Sequence, residues 1–290
     1  MSKIYTPLKF IVFLFCCGLC WQGCNIINPH EQNPTYIHID SFSFQTNRSL
    51  KLPLPLTNTH EITCVWVYYK NGSVGVFDLP ATFPVFAADT GTLEMFPGVE
   101  IDGQNDLLAI NPFYEPDTFT FAAQPGKIIN HEGITRYYTD IVVNPIDDFN
   151  SQKFGLDGGN IQIASVNDSN NITGPHGRIV LGAIGDSSVD SIAEPFTIPT
   201  GSAFIQFDYK STLPFYIGLQ ATISGVSTSP YYLTGIYPSS TWQTFYLSVQ
   251  DFAAQYGAST ATYNLFIKTS TLPQGTTGTL LIDNIQLLTF

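Results

Sequence analysis

The side chains that could do chemistry in this chain are a few scattered histidines, a set of acids, and tyrosines concentrated late in the sequence. The five histidines are His30, His38, His60, His131 and His176. None of them pairs with another at the spacing that delivers two metal ligands from one element. His176 lies in Gly174-Pro175-His176-Gly177, which reads as a turn. The motifs Gly-x-Ser-x-Gly, His-Glu-x-x-His, Gly-x-x-x-x-Gly-Lys and Gly-x-Gly-x-x-Gly do not occur, which leaves out the usual nucleophile elbow, zinc helix and phosphate loops. A paired-carboxylate hydrolase needs two acids converging across about 5–10 Å, and the adjacent Asp147 and Asp148 would face opposite sides of a strand. The chain is expected to be a non-enzyme.

The tyrosines offer a different chemistry. A sugar ring lays its C–H face on an exposed aromatic side chain, so a glycan surface needs aromatics that rigid elements hold in solvent. Tyr231 and Tyr232 after Pro230, Tyr237 before Pro238, and Trp242 are the candidates, with Tyr216 upstream. Consecutive Tyr231 and Tyr232 must point to opposite faces if extended, so at least one faces outward. Tyr232 and Tyr237 flank loops and are the best placed, whereas Trp242 reads first as a packing residue.

The N-terminus sets the compartment. Lys3 and Lys9 precede or begin an apolar run with Phe10 to Phe15 unbroken. The run is shorter than the about 20 apolar residues that span a bilayer, and it suits the core of an export signal. Leu19-Cys20-Trp21-Gln22-Gly23-Cys24 resembles the lipobox of bacterial lipoproteins, with Trp21 where a leucine-like residue is common. The resemblance implies cleavage after Gly23 and lipidation of Cys24, Cys20 being the weaker alternative. Residues 1–23 are thus expected to be a signal peptide and 24–34 a polar tether. The expected place is the outer membrane of a cell envelope. Periplasmic or surface exposure is left open, because the first acid after Cys24 is Glu31.

Removing that signal takes away two of the 11 basic residues and no acid, leaving 23 acids and a net charge of −14. An acidic surface repels phosphate backbones, which disfavours nucleic acid as a partner. Four of the five cysteines lie at or before residue 24, so Cys64 has no intramolecular disulfide partner in the body. In Thr63-Cys64-Val65-Trp66 it reads as a small buried hydrophobe on a strand.

These residues must be held by strands. Alternating apolar and polar residues recur from Tyr36 to Phe44, Ile62 to Tyr69 and Tyr137 to Val143, and again from Ile161 onward, punctuated by Gly, Pro, Asn and Asp. That pattern predicts an all-β fold of sandwiches or barrels. Asn71-Gly72 marks a hairpin, and Val249 to Tyr256 is the one stretch that could form a short helix. A break near Asn144-Pro145 divides the body into residues 35–144 and 145–290.

Val65 to Pro80 resembles the hairpin of small Ig-like or PEGA-like sandwiches in bacterial envelope proteins. Phe204 to Lys210, Thr241 to Leu247 and Leu280 to Leu287 together resemble a galactose-binding-like jelly roll, the fold of many carbohydrate-binding modules. The whole resembles Bacteroidota outer-membrane lipoproteins. The expected fold is an N-terminal Ig-like β-sandwich followed by a C-terminal jelly roll. The resemblance implies no cofactor beyond a candidate structural calcium between first and last jelly-roll strands, with Asp147, Asp148 and Asp283 as its oxygen carriers. The ordinary reading of Asp283-Asn284 is a strand turn. Two functions follow as expectations. The first is a lipid-anchored scaffold engaging a partner protein or outer-membrane assembly. The alternative is a lipoprotein whose jelly roll captures polysaccharide.

Overall fold

The computed structural model describes residues 32–45, 50, 54–103, 107–257, 260–269 and 276–290. The expected signal peptide, Cys24 and most of the tether lie outside the described residues. Among the described residues no helix is long and apolar enough to cross a membrane.

The first half forms a sandwich from β1 (Thr35–Phe44), β2 (Cys64–Tyr69), β3 (Gly72–Asp78), β4 (Ala81–Val85), β5 (Thr90–Glu100), β6 (Leu108–Ile110), β7 (Asp117–Ala122) and β8 (Ile128–Thr135). One sheet runs β4-β1-β8, with β1 antiparallel to β4 and parallel to β8. The other runs β3-β2-β5, and both β6 and β7 pair with the long β5. Alternation places Ile37, Ile39, Phe83 and Val85 against Val65, Val67, Leu93 and Met95 in one core. Between β2 and β3 the positive-φ residues are Lys70 and Asn71, and Gly72 already pairs with Tyr69. The turn is therefore one residue earlier than Asn71-Gly72. A bulge near Val67 and Tyr68 absorbs the shift and keeps the valine in the core. Cys64 is buried opposite Gly98, where any Cβ would overlap its sulfur.

The second sandwich is a jelly roll. Its strands are β9 (Val142–Asp147), β10 (Phe154–Gly159), β11 (Ala164–Val166), β12 (His176–Leu181), β13 (Ser188–Ile192), β14 (Ala203–Ser211), β15 (Phe215–Ile223), β16 (Val226–Ser227), β17 (Tyr231–Ile236), β18 (Ser239–Ser248), β19 (Thr262–Thr269) and β20 (Gly278–Thr289). One sheet runs β11-β12-β20-β14-β18, with β9 also on β20. The far sheet runs β10-β13-β19-β15, with β16 and β17 both on β15. Ile205, Phe207, Leu219, Leu265, Ile282 and Leu287 are among the residues that fill the space between them. The expected border between 144 and 145 falls inside β9, whose Val142 and Val143 pair with Thr289 and Leu288. Pro145 is accommodated beside a bulge at Ile285 and Gln286, where a missing N–H costs no regular ladder bond. Helix α1 (Gln250–Tyr256) ends on Gly257 in the left-handed region, as a C-terminal glycine allows.

The two sandwiches are joined through the outer face of the β11-β12-β20-β14-β18 sheet. Val99, Phe113, Tyr114 and Tyr137 pack on Phe204, Tyr246 and Leu288 there. The buried polar side chains of that face are met by the segment after β1, by Tyr137 after β8 and by neighbours on the same sheet. Asp208 accepts hydrogen bonds from the hydroxyls of Thr59 (2.7 Å) and Thr244 (2.7 Å) and from Asn284 Nδ2 (2.9 Å). Gln206 accepts from the Tyr137 hydroxyl at 3.0 Å, and Gln286 accepts from the Leu56 N–H at 2.8 Å. The free edge of β18 is closed as well. Asp102 N–H donates to the Tyr246 carbonyl at 2.9 Å, and the Asp102 carboxylate accepts the Ser248 N–H at 2.8 Å. The C-terminal end of this edge, with its donor and acceptor met in this way, offers no template for pairing with another chain.

Candidate functional site

With one sheet docked, the jelly roll presents the outer face of its far sheet. In β15 the residues Phe215, Ile217, Leu219 and Ala221 enter the core, so Tyr216, Gly218, Gln220 and Thr222 face out. In β19 the same alternation sends Tyr263, Leu265 and Ile267 inward and Asn264, Phe266 and Lys268 outward. Tyr216 pairs directly with Lys268 on one side and Gly235 on the other. A Cβ at Gly235 would come within 3.1 Å of the Tyr216 ring, so the absence of a side chain lets that ring lie across β17. Tyr232 meets Tyr216 edge to face at 6.3 Å and 67°. Lys268 Nζ lies 5.3 Å from the centre of the Tyr232 ring, within the range of a cation–π contact. Burial first, and then the charge of Asp157, push the Tyr232 hydroxyl above its ordinary pKa, so it is a hydrogen-bond donor at neutral pH. Tyr216 keeps 40% of its surface in solvent.

The other candidate aromatics lie elsewhere. Tyr231 turns away from Tyr232 and stacks on Phe252 of α1 at 5.8 Å and 24°, with 58% of its surface exposed. Trp242 donates from Nε1 to the Asn170 carbonyl at 3.1 Å and sits edge-on to His176. Tyr237 is 79% exposed at the mouth of a cleft between the two sandwiches. Of the four, only Tyr232 joins a group on the far sheet, together with Tyr216 and Lys268. Lys268 escaped the sequence reading, although its alternation with Ile267 could have revealed it. His176 is not a turn residue: it begins β12 and is fully buried, because the turn before it ends at Pro175 and Nδ1 is held by Asn171 at 3.0 Å.

The three acids expected to carry calcium are set by the pairing of β9 with β20, in which Asp147 lies opposite Ile285. Asp147 Oδ1 accepts the Phe149 N–H at 2.9 Å, and Asp283 Oδ1 accepts the Asn284 N–H at 2.8 Å. The second oxygen of each is buried with no hydrogen-bond partner among the described residues. Burial pushes Asp147 up to about 6. Burial and then the charges of Asp208, Asp148 and Asp147 push Asp283 up to about 7. Asp148 is half-buried and accepts the N–H and the Nδ2 of Asn150 instead. Among the described residues no three His, Cys, Asp or Glu side chains gather as a metal set.

No family model matches this chain, and no curated protein matches it. Among solved structures it is similar in part to the enzymatically active domain of tailspike protein 4 from bacteriophage CBA120. That match has 13% identity, covers 48% of this chain and 20% of the other, and has a TM-score of 0.38. The family 11 carbohydrate-binding module of cellulase Lic26A-Cel5E from Clostridium thermocellum matches at 18% identity over 50% of this chain and 94% of its own, with a TM-score of 0.37. The family 30 carbohydrate-binding module of cellulase Cel9D-Cel44B from the same organism matches at 13% identity over 50% and 96%, with a TM-score of 0.39. The chain spans about a fifth of the tailspike structure. By its own strands and cores it is an all-β protein, an Ig-like sandwich joined to a jelly roll.

Proposed function

We propose that this protein binds glycan on the outer face of the jelly roll's far sheet and is held at the cell envelope by a lipid on Cys24. The observation that supports the glycan reading is the Tyr216–Tyr232–Lys268 group on rigid, paired strands. The rings supply faces for sugar C–H groups, the ammonium and the Tyr232 hydroxyl supply donors, and strands already in place need little ordering on binding. A scaffold function would call for an exposed apolar patch spanning both sandwiches. The apolar surface where they meet is instead spent on joining them.

A glycan array probed with the full chain, followed by titration of the best glycan, tests this reading. Tyr232→Ala and Tyr216→Ala should each weaken binding at least about tenfold, or about 1.4 kcal/mol. Array-wide silence, or binding that ignores both substitutions, would refute it. For the anchor, Cys24→Ser should abolish fatty-acid labelling and release the protein from membranes; unchanged labelling would rule out Cys24.

A second, structural reading rests on the two orphaned oxygens. Asp147 and Asp283 fit a calcium held between β9 and β20, with the remaining ligands drawn from carbonyl or water oxygens. Calcium there would neutralise two buried carboxylates, of which Asp283 is raised in part by the charge of Asp147. Millimolar calcium should raise the melting temperature relative to chelator, and Asp283→Asn should remove that rise. A melting temperature indifferent to calcium would exclude the site.

A further inference from the structure

Where the two sandwiches meet beside β18, they leave a cleft of about 150 Å³. The first sandwich contributes Glu61 and Glu100, and the jelly roll contributes Tyr209, Tyr237 and Gln243. No lysine or arginine is among the described residues lining it. Gly103, at a φ of 67°, brings the loop after β5 against Phe245 and closes one wall, since a Cβ there would press to 2.9 Å from that ring. The cleft holds more than two acids. Tyr209 is buried to 9% exposure, its ring fixed by Phe215 at 5.5 Å and Phe245 at 6.2 Å. Its hydroxyl has no hydrogen-bond partner among the described residues, and the nearby charges of Glu61 and Glu100 help hold its proton on. Glu61 is itself pushed upward, first by burial and also by Glu100, although it accepts the Thr244 N–H. Tyr237 stands at the rim with most of its ring in solvent.

We infer that this cleft is a binding site for a primary ammonium group. Two carboxylates without a basic neighbour form a negative pocket, and a positive guest relieves their mutual repulsion. An ammonium offers three donors, which suit Glu61, Glu100 and the oxygen of Tyr209. The Tyr237 ring at the rim adds a face for a cation or for the body that carries it. The volume takes the ammonium with a few attached carbons, as in a 2-amino sugar unit or an alkylamine of the lysine type. The cleft adjoins the Tyr216–Tyr232 face at Gly235, but none of Tyr216, Tyr232 and Lys268 lines it, so either site can fail without the other.

Calorimetric titration of the full chain with methyl glucosaminide, cadaverine, methyl N-acetylglucosaminide and methyl glucoside tests the inference. At least one of the two amines should bind with a Kd of about 1 mM or tighter, and both neutral sugars should bind at least about tenfold more weakly. Binding by the glucosaminide alone points to an amino sugar as the source, and equal binding by cadaverine to an alkyl ammonium; both support the site. Glu100→Gln and Tyr237→Ala should each weaken the amine. Glu61→Gln serves only as a supplement, because Glu61 also caps β18. The inference is overturned if neither amine binds, if neutral sugars bind equally well, or if Glu100→Gln and Tyr237→Ala have no effect.

Discussion

Tyr232 shows how much a single residue can reveal before any fold is known. Because it follows Tyr231 on a strand, the two must part, and they do, one onto Phe252 and the other onto the outer face beside Tyr216. Alternation with Ile267 can place Lys268 outward, but its contact with Tyr232 across β15 follows only from the register of β17, β15 and β19. If that ammonium is a donor to sugar, Lys268→Met should weaken glycan binding several-fold and leave the melting temperature nearly unchanged; undiminished affinity in titration would show it to be a bystander. His176 makes a second prediction at this scale. Burial lowers its pKa against the opposing pull of Asp168, with Arg178 adding to the lowering. Its contribution to stability is therefore full above the ordinary histidine value of about 6.5 and is lost as pH falls through its lower folded value. Denaturant midpoints should show the advantage of wild type over His176→Gln shrinking as pH falls below about 6.5. A constant difference would contradict this.

At the scale of elements, the hairpins and the alternation were plain in the sequence, because burial of one strand face repeats every second residue. The bulges were not, since they depend on what a strand meets. One consequence is the turn at Lys70-Asn71 rather than Asn71-Gly72. Another is the close approach of β2 and β5 at Gly98, where Cys64 occupies the space a side chain would need. Gly98→Ala should therefore destabilise the first sandwich by about 1–3 kcal/mol. Cys64→Ala in the same chain should recover part of that loss, a coupling that a double-mutant cycle in urea would measure. Additive effects would mean that the two positions do not share that space.

For the whole molecule, the sequence predicted two sandwiches but not the polar joint between them. Asp208, Gln206 and Gln286 look like ordinary outward positions on jelly-roll strands. Their partners, Thr59, Tyr137 and Leu56, lie far away along the chain. Only the folded arrangement shows that this face is sealed, and that the far sheet is the one left to solvent. Asp208→Ala would leave the donors of Thr59, Thr244 and Asn284 without their shared acceptor, at a cost of about 1–3 kcal/mol for a buried donor left unsatisfied. Calorimetry should show one transition for wild type and two, one for each sandwich, for the variant. A variant that still melts in one transition near the wild-type temperature would mean the joint does not couple them.

The central claim is that glycan binds the face built by Tyr216, Tyr232 and Lys268. Its most direct test is the affinity of the best array-selected glycan for wild type and for the Tyr216→Ala/Tyr232→Ala double variant, with circular dichroism confirming that both are folded. The account predicts that saturable binding by wild type is lost in the folded variant. Equal affinity in the two proteins, or no glycan binding by wild type, would contradict it.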